Sequence, residues 1–390
     1  MKILVLGAGM QGRAALHDLA RSPDVSHVIA ADVDTRGAAD FVATLGADKI
    51  AFETVDATEH DRVAALMREC HAVIDLLPTR FRSDMTQLAV ANGVHLVNAS
   101  YATPQDEALA AEAAARGCAV LPEFGLDPGI DIVMAAAALA AFDEVSAFLS
   151  YGAGIPERSA ANNPLQYKIS WSFAGVLDSY QRPARLLRDG QPLELARDQV
   201  FDADNTHSVE VEALGTLEAI PNGDVTPFLK RFGLGDTVRE AGRFSLRWPG
   251  HAAFWSKMVA LGFLDDTPLA IGDAHVSPRQ FVHDLLAPQL QYGAGERDIA
   301  LARVEVEGRK NDSRKRLIYQ VIDRRDLETG LLGMQRTVGY TASIGAQMIL
   351  RGDIAERGLL SPATDVPTAV FFDELRKRGI AVERTELPAD

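Results

Sequence analysis

Apolar segments alternate with alanine-rich amphipathic segments along residues 1–125 of the chain. Patterns typical of buried strands occur at KILVLGAG, HVIAADVD, KIAFETVDAT, AVIDLLP, VHLVNAS and AVLPEFG. A helical pattern at residues 11–22 follows the first of them. Strands that alternate with helices favour right-handed crossovers and a parallel sheet with helices on both faces. The pattern therefore predicts an α/β fold with a Rossmann-type doubly wound parallel sheet.

The hydrophobic pattern changes after about Phe142. Longer alternating segments appear, as in ARLLRDGQPLEL, where Asp189 and Gly190 are a hairpin-turn signal. These segments predict a second α/β domain with a mixed sheet. From about Met334 the pattern is helical again, and TVGYTASIGAQMILRG is rich in small residues that suit close packing. We expect a Rossmann domain at 1–125, a mixed-sheet domain at 126–333 and a helical segment at 334–390 that returns to the first domain.

Composition and charge exclude several classes of partner. The 390 residues are 47% hydrophobic and 24% charged, which suits two globular domains. The net charge of −15 argues against nucleic-acid binding, and the one basic run, RKNDSRKR, is interpreted as a solvated hairpin loop. The apolar run at 132–142 is too short to span a membrane. Cys70 and Cys118 are expected to be buried free thiols, which favours a cytoplasmic location.

The segment GAGMQG places Gly7, Gly9 and Gly12 between the first strand and the first helix. Glycines at this spacing allow a tight turn and a close approach of a pyrophosphate to the helix N-terminus. Asp32 ends the second strand, twenty residues after Gly12, where an acid accepts hydrogen bonds from the ribose hydroxyls. Such an acid repels a 2′-phosphate, so we predict NAD rather than NADP as the cofactor.

Asp34 is the alternative acid for the ribose. The other candidate cofactor residues lie at the start of the first helix and beyond the third and fourth strands. The complete predicted set is Gly7, Gly9, Met10, Gln11, Gly12, Asp32, Asp56, Leu77 and Pro78.

Three carboxylates in EFGLDPGID follow the sixth strand, where a parallel sheet binds its ligands. Asp127 and Pro128 are a suitable N-cap and first residue for the next helix, but Asp127 is equally a candidate for substrate contact. Asp131 is interpreted mainly as a complement to the helix dipole. Glu123 either pairs with a buried cation or points away from the site.

Several longer motifs resemble the glutamate-forming saccharopine dehydrogenases. They are ASYATP, GLDPGID, NNPLQYKISWSFAGVL and EAIPNGDVTPF. Two segments, QRPARLLRDGQ and LRWPGH, are more similar to the related lysine 6-dehydrogenases, and YTASIGAQMI fits either group. The resemblance covers nearly the whole chain. It implies a Rossmann domain, a second domain that binds substrate and forms a homodimer, and oxidation of a C–N bond in a lysine-derived amino acid.

Two positions depart from the family pattern that the resemblance implies. The saccharopine branch usually has an arginine, in PNRD, where this chain has Gly223, and that arginine helps to hold a substrate carboxylate. The branch also tends to have a cysteine where this chain has Gly152. Lys168 and Arg247 are candidate replacements for the missing cation.

The candidate catalytic residues are Asp127, Tyr101 and His251. Asp127 is the first candidate for holding the substrate amine or acting as base, and His251 is the alternative for proton transfer. Packing or surface roles remain the competing interpretation for Tyr101, Lys168 and His251. The candidate substrate-binding residues are Ser100, Tyr101, Asp127, Lys168, Ser170 and Arg247.

Three functions are compatible with these features. The first is NAD-dependent oxidation of saccharopine to glutamate and 2-aminoadipate semialdehyde. The second is 6-dehydrogenase chemistry on free lysine, favoured by Gly223 and the short chain. The third is a regulatory protein that binds NAD without turnover, which the polar strand ends argue against. No metal site is expected, because the chain has no His/Cys cluster with ligand spacing.

Overall fold

The computed structural model describes residues 1–235, 237–311 and 313–388. The strands are β1 (Lys2–Leu6), β2 (His27–Asp32), β3 (Ile50–Thr54), β4 (Ala72–Asp75), β5 (His95–Asn98), β6 (Ala119–Leu121), β7 (Glu144–Pro156), β8 (Ala184–Arg188), β9 (Gln191–Leu195), β10 (His207–Val211), β11 (Gly215–Pro221), β12 (Glu240–Arg247), β13 (Leu269–Ile271), β14 (Ala274–Val276), β15 (Asp298–Lys310), β16 (Ser313–Arg324), β17 (Gly358–Leu359) and β18 (Val382–Pro388).

The α-helices are α1 (Met10–Arg21), α2 (Arg36–Leu45), α3 (His60–Arg68), α4 (Arg82–Ala91), α5 (Pro104–Ala115), α6 (Ile130–Leu139), α7 (Phe173–Ser179), α8 (Thr226–Arg231), α9 (His251–Ala260), α10 (Pro278–Leu286), α11 (Gly333–Arg351) and α12 (Thr368–Lys377). Short 3-10 helices lie at Thr79–Phe81, Arg158–Ala160 and Ala287–Leu290. Across the described ranges, none of these helices combines the length and the apolar character that crossing a bilayer requires.

The first compact unit, unit 1, comprises Met1–Ala136 and Met334–Val382. Its seven strands lie in the order β17-β6-β5-β4-β1-β2-β3, and all neighbours are parallel. The chain runs from β1 outward through β2 and β3, then returns to place β4 on the other side of β1. This reversal is the topological switch point at which doubly wound sheets bind ligands. The predicted Rossmann-type sheet is confirmed.

The apolar face of this sheet explains why the strand patterns are so clear in the sequence. Leu4, Val73 and Leu96 of three adjacent strands are fully buried, and they share a core cluster with Val63 of α3 and Ala89 of α4. Parallel strands covered by helices are apolar on both faces, so they appear as continuous hydrophobic runs. The core thereby fixes the carboxyl ends of the strands along one edge.

Helix α11 packs on α1 through the small residues that the sequence contains there. A side chain at Gly339 would collide with the backbone of Gln11 and would lie 2.8 Å from the Cβ of Ala14, so only glycine allows this approach. Next to this contact, Ser343 donates to Asp18 at 2.6 Å, and Arg378 donates to the same carboxylate at 2.6 Å. Asp18 is buried with these partners, and its charge is therefore matched inside the unit.

The second unit, unit 2, comprises Ala137–Gly333 and the described residues from Glu383 on. Its nine-stranded sheet follows the order β10-β11-β12-β7-β15-β16-β18, with β8 paired to β12 and β9 paired to β8. Strand β12 is parallel to β7, whereas β15 is antiparallel to both β7 and β16. The predicted second domain with a mixed sheet is confirmed.

The structure confirms the predicted turn between β8 and β9 and differs from the prediction in the C-terminal tail. Asp189 and Gly190, both with left-handed φ angles of 52° and 75°, join the antiparallel strands β8 and β9 as predicted. The basic hairpin between β15 and β16 includes Asp312, which lies outside the described residues. Both cysteines are buried and free.

The C-terminal segment was expected to be helical, but its last part is not, because Val382–Pro388 forms a strand beside β16.

Candidate active site

The three glycines between β1 and α1 have different structural roles. Gly7 has a φ of 87°, and a Cβ there would lie 2.8 Å from the backbone of Leu76, just beyond β4. A Cβ on Gly12 would collide with the carbonyl oxygen of Gly7. Gly9 has open space around its Cβ position. Two glycines therefore allow the turn to close, and the third leaves room beside the start of the helix.

The first backbone amides of α1 lie next to the open space around Gly9. The helix begins at Met10, and its N-cap is Gly9, which has no side chain to accept a hydrogen bond. Both residues are exposed, while the carbonyl of Met10 accepts from Gln335 at 3.1 Å. Gln11 follows in the first turn. Unsatisfied first-turn amides and the helix dipole suit a pyrophosphate, so these residues fit a dinucleotide.

Asp32 is tied to the glycine turn. Its Oδ2 accepts from the amide of Ala8 at 2.7 Å, and its Oδ1 accepts from the amide of Asp34 at 3.2 Å. The alternative acid, Asp34, forms an exposed ion pair with Arg36 at 2.6 Å. Hydrogen bonds from Arg36 lower the pKa of Asp34 to about 2. Asp32 is therefore the acid that is fixed beside the turn, and Asp34 is engaged in a surface pair.

The three later candidates for the cofactor lie in turns after β3 and β4. Asp56 accepts hydrogen bonds from the amide and hydroxyl of Thr58 at 2.9 and 2.8 Å, and these bonds lower its pKa. The amide of Leu77 donates to Asp75 at 3.1 Å, and Pro78 precedes a 3-10 helix. Leu77 and Pro78 are therefore next to the switch point, whereas Asp56 is used by its own turn.

Asp75, which ends β4 at the switch point, was missed by the sequence analysis. Its carboxylate is 5% exposed, and burial raises its pKa to about 7. It is paired in register with Asn98 of β5, which is 1% exposed. The Asn98 Oδ1 accepts from the amide of Ser100, but its Nδ2 has no partner. The acid at the end of the apolar run AVID was the signal that this position differs from an ordinary core strand.

The capping interpretation of Asp127 is wrong. Helix α6 begins at Ile130, and the carbonyl of Gly129 accepts the helical bond from Val133 at 3.1 Å. Gly129 is therefore the N-cap, and Asp127 and Pro128 precede it. The carboxylate of Asp131 accepts from the amide of Gly129 at 2.7 Å, so this acid serves the helix start.

Asp127 instead faces the segment that follows β5. The hydroxyl of Tyr101 donates to its Oδ1 at 3.0 Å, and both side chains are half-buried. Arg82 holds the same segment by donating to the carbonyl of Tyr101 at 2.9 Å. The carbonyl of Ser100 accepts from the amide of Glu123, which is buried and has a left-handed φ of 58°. The structure thus brings Ser100, Tyr101 and Asp127 together at the carboxyl ends of β5 and β6.

The candidate residues of unit 2 lie in buried surroundings. Lys168 donates to the carboxylate of Glu296 at 2.5 Å, which lowers the pKa of that acid. Ser170 is fully buried, and its hydroxyl has no partner. Lys168 therefore binds a carboxylate, as the sequence suggested, but the carboxylate belongs to the protein.

His251 is the first residue of α9 and is buried in the core of unit 2. Its Nε2 lies 2.6 Å from the hydroxyl of Tyr180. Burial, with the charge of Arg247 nearby, holds the pKa of His251 well below its ordinary value. A neutral histidine bonded to a buried tyrosine suits a structural role better than proton transfer with a substrate.

Family models match almost the whole chain. The model described as the saccharopine dehydrogenase NADP binding domain matches residues 3–121, and the saccharopine dehydrogenase C-terminal domain matches residues 125–380. The chain belongs to the saccharopine dehydrogenase family. It therefore carries a nicotinamide-cofactor domain, in agreement with the glycine turn.

Named relatives agree with the family. The saccharopine dehydrogenase [NADP(+), L-glutamate-forming] of Schizosaccharomyces pombe is 24% identical, over 98% of both chains. The mitochondrial alpha-aminoadipic semialdehyde synthase of Bos taurus is 25% identical over 97% of this chain, which spans only 47% of that relative. The apo saccharopine dehydrogenase (L-Glu forming) structure from Saccharomyces cerevisiae aligns over 99% of both chains with a TM-score of 0.86 at 22% identity, which shows the fold.

Gly223, where the resemblance implies an arginine, has a left-handed backbone conformation. Gly223 follows β11 with a φ of 74°, and its carbonyl accepts from the amide of Arg185 at 3.0 Å. An arginine in that conformation would be strained, even though the Cβ position is open. The left-handed backbone of this turn therefore suits the glycine that the chain has at position 223.

Substitution of the glycines should separate folding from cofactor binding. Gly9→Ala leaves the fold intact because its Cβ meets open space, but the methyl group occupies the side on which a pyrophosphate approaches. We expect at least a tenfold loss of dinucleotide affinity, measured by fluorescence titration, with little change in Tm. Gly12→Ala should lower Tm clearly because of the collision with Gly7. A Gly9→Ala variant with wild-type affinity would contradict the assigned cradle.

Asp75→Asn should change how stability depends on pH. The pKa of Asp75 is raised in the folded state from 3.8 to about 7, so the wild type loses stability as the pH rises through this window. The asparagine variant lacks this loss, which reaches roughly 4 kcal/mol at most above pH 7. Urea unfolding at pH 5 to 8 measures it. Asp56→Asn is the control, and its free energy of unfolding should differ from that of the wild type by an amount that does not change with pH. If the difference for Asp75→Asn is also independent of pH, the pKa of Asp75 does not lie in this range.

Proposed function

We propose that this protein is an NAD-dependent dehydrogenase that oxidises the C–N bond of saccharopine, giving glutamate and 2-aminoadipate semialdehyde. The observation that carries the proposal is the hydrogen bond from Tyr101 to Asp127 at 3.0 Å, at the carboxyl ends of strands in the dinucleotide sheet. Relatives named saccharopine dehydrogenase match over 98% and 97% of their own lengths. A purely regulatory NAD-binding protein would not need this polar pair.

The proton chemistry follows from the needs of the reaction. The nicotinamide, when bound, accepts a hydride from the carbon that bears the substrate nitrogen. That nitrogen must be neutral, because only a lone pair assists the departure of hydride. In this proposal Asp127 takes the proton from the nitrogen and releases it to solvent, and the regenerated carboxylate then takes a proton from the water that attacks the C=N bond. Tyr101 orients the carboxylate by donating to its Oδ1 at 3.0 Å.

Two observations bear on the choice between NAD and NADP, and they disagree: the negative charge at the end of β2 and the cofactor in the names of the relatives. The matched family model and the fungal relatives carry NADP in their names. In this chain two acids, Asp32 and Asp34, stand at the end of β2, and Asp32 is anchored to the glycine turn. A 2′-phosphate would bring further negative charge to this position, and the nearby Arg36 is already paired with Asp34. We therefore retain NAD as the proposed cofactor.

The second candidate substrate is free lysine, and the observation that favours it is the turn at Gly223. Saccharopine carries three carboxylate groups and lysine carries one, and this turn has glycine where the resemblance implies a cation that binds a carboxylate. A panel of saccharopine, lysine, ornithine and other diamines, followed by NADH absorbance, tests both candidates. Turnover of lysine in preference to saccharopine would overturn the main proposal, and NAD binding without turnover of any amine would support the regulatory alternative.

A cytoplasmic location and a homodimer complete the proposal. The location is supported by the two buried free cysteines, which suit a reducing compartment. The homodimer is supported by the family resemblance of the second domain. Sedimentation velocity of the purified chain tests the dimer.

Replacing Asp32 should narrow the preference for NAD. Asp32→Ser removes the acceptor for the ribose hydroxyls and the charge that repels a 2′-phosphate, so we expect the KM for NAD to rise and the KM for NADP to fall. Asp34→Ser is the matched control and should change the ratio less. If the two variants exchange these effects, Asp34 is the ribose acid, and a wild type that prefers NADP would refute the cofactor proposal.

Replacing Asp127 should affect turnover far more than stability. Asp127→Asn keeps the size of the side chain and its contact with Tyr101, and Asp127 does not cap α6. We expect kcat to fall by roughly two orders of magnitude or more, because a base is removed. Asp131→Ala is the control, and it should lower Tm instead, because it removes the oxygen that accepts from the amide of Gly129. Wild-type kcat in Asp127→Asn would exclude it as the base.

A further inference from the structure

Unit 2 carries a strongly exposed apolar surface between the end of α9 and the end of α10. Twelve large apolar side chains are exposed among the described residues, and six of them lie in this segment: Leu261, Phe263, Leu269, Ile271, Phe281 and Leu285. Single exposed apolar side chains are normal, but a group of this density is typical of an interaction site. We call these six side chains the apolar face.

The middle of the apolar face is a hairpin that belongs to neither large sheet. Within the described ranges, β13 and β14 pair only with each other, with Leu269 opposite Val276 and Ile271 opposite Ala274. Because side chains alternate along a strand, these four apolar side chains lie on the same side of the hairpin. Ile271 is 61% exposed. A two-stranded hairpin is marginally stable in water, so this one would gain stability from a covering surface.

Helix α10 extends the apolar face beside the hairpin. The guanidinium of Arg279, in the first turn of α10, donates to Asp266, just before the hairpin, at 2.7 Å. This bond holds the base of the hairpin next to the helix. Phe281 and Leu285 are four residues apart and therefore lie on one side of α10, whereas Val282 is buried in the core of unit 2. One side of α10 thus serves folding, and the other is left to solvent.

The charges around the apolar face favour a second copy of this chain as its occupant. Asp265 and Asp266 are each paired with an arginine of unit 2, and Asp284 is hydrogen-bonded within α10. Lys257 of α9 and Asp273 of the hairpin turn are exposed and opposite in sign. The whole chain has a net charge of −15, so two copies repel each other over most of their surface but meet little net charge here. A surface with balanced charges suits self-complementary pairing about a two-fold axis.

The size of the apolar face agrees with the requirement of a stable dimer. A large apolar side chain presents about 150–250 Å² of surface. The six side chains are 41–73% exposed, so together they present several hundred Å². A stable interface buries about 800 Å² on each partner, with an apolar centre and a polar rim. The apolar face therefore supplies the centre, and the polar side chains around it supply the rim.

We propose that the apolar face is the surface through which two copies of this chain associate, with the β13–β14 hairpin at the centre of the interface. The inference rests on the homodimer of the proposed function and assigns the face that forms it. It does not depend on the substrate or on turnover.

Substitutions that place a charge in the apolar face should dissociate the dimer. Ile271→Glu and Phe281→Glu should each raise the Kd of the dimer at least hundredfold, because a carboxylate would be buried in an apolar interface. Analytical ultracentrifugation of the full-length protein over a series of concentrations measures the Kd. Both variants should keep the far-UV circular dichroism of the wild type, since both side chains are exposed in the single chain. Leu327→Glu is the matched control, because Leu327 is an exposed apolar residue of unit 2 outside the face, and its Kd should be that of the wild type.

Hydrogen exchange tests the same face without a substitution. The amides of residues 269–276 should exchange rapidly at low protein concentration and more slowly as the concentration rises through the Kd of the dimer. The inference is overturned if the wild type is monomeric across the series, if both glutamate variants keep the wild-type Kd, or if exchange in the hairpin is independent of concentration.

Two further outcomes separate this inference from its alternatives. Binding of a monomeric wild type to phosphatidylcholine vesicles, abolished by Ile271→Glu, would assign the face to a lipid surface and overturn the dimer. A dimer that depends on this face, in a protein that oxidises no amine, would support the inference and reject the proposed dehydrogenase function.

Discussion

The close approach of backbone at the end of β1 is the constraint on which the cofactor side of this protein depends. Gly7 lies against the backbone of Leu76, and Gly12 lies against the carbonyl of Gly7. No side chain fits at either contact, so the turn, the first helix and the switch point are fixed together. The same approach places Asp75 beside the turn, where the core leaves it little access to water. The geometry that admits a pyrophosphate is thus also the geometry that disfavours the ionised form of a neighbouring acid.

A second constraint holds the C-terminal helices on the first helix of unit 1. The contact at Gly339 allows α11 to approach α1, and the buried carboxylate of Asp18 then receives hydrogen bonds from Ser343, Gln347 and Arg378. A network of this kind is favourable only when every member is satisfied. The small residues in TASIGAQ are therefore explained by both the close packing and the hydrogen bonds that accompany it.

The sequence was sufficient where structure is determined locally. Continuous apolar runs predicted β1 to β6, and Asp189 with Gly190 predicted the hairpin of β8 and β9. The sequence was not sufficient to predict which residues of neighbouring strands are paired. The pairing of Asp75 with Asn98 depends on the register between two strands that are more than twenty residues apart in the chain. The cap of α6 was misplaced because Asp127 and Pro128 have the right residue types, while the backbone begins the helix at Gly129 instead. Two-residue β17 has too little pattern to be detected.

The candidate sites share a physical character that sequence patterns do not report. Asp18 and Arg303 are buried charges with matched partners, and their arrangement is what folding alone would favour. Asp75, in contrast, is buried without a matching cation at hydrogen-bond distance among the described residues, and burial raises its pKa to about 7. Local departures from the rules of stable folding are expected where a protein binds or transforms a ligand. The buried acid at the end of β4 therefore distinguishes the switch point of unit 1 from an ordinary core strand more clearly than the apolar run that precedes it.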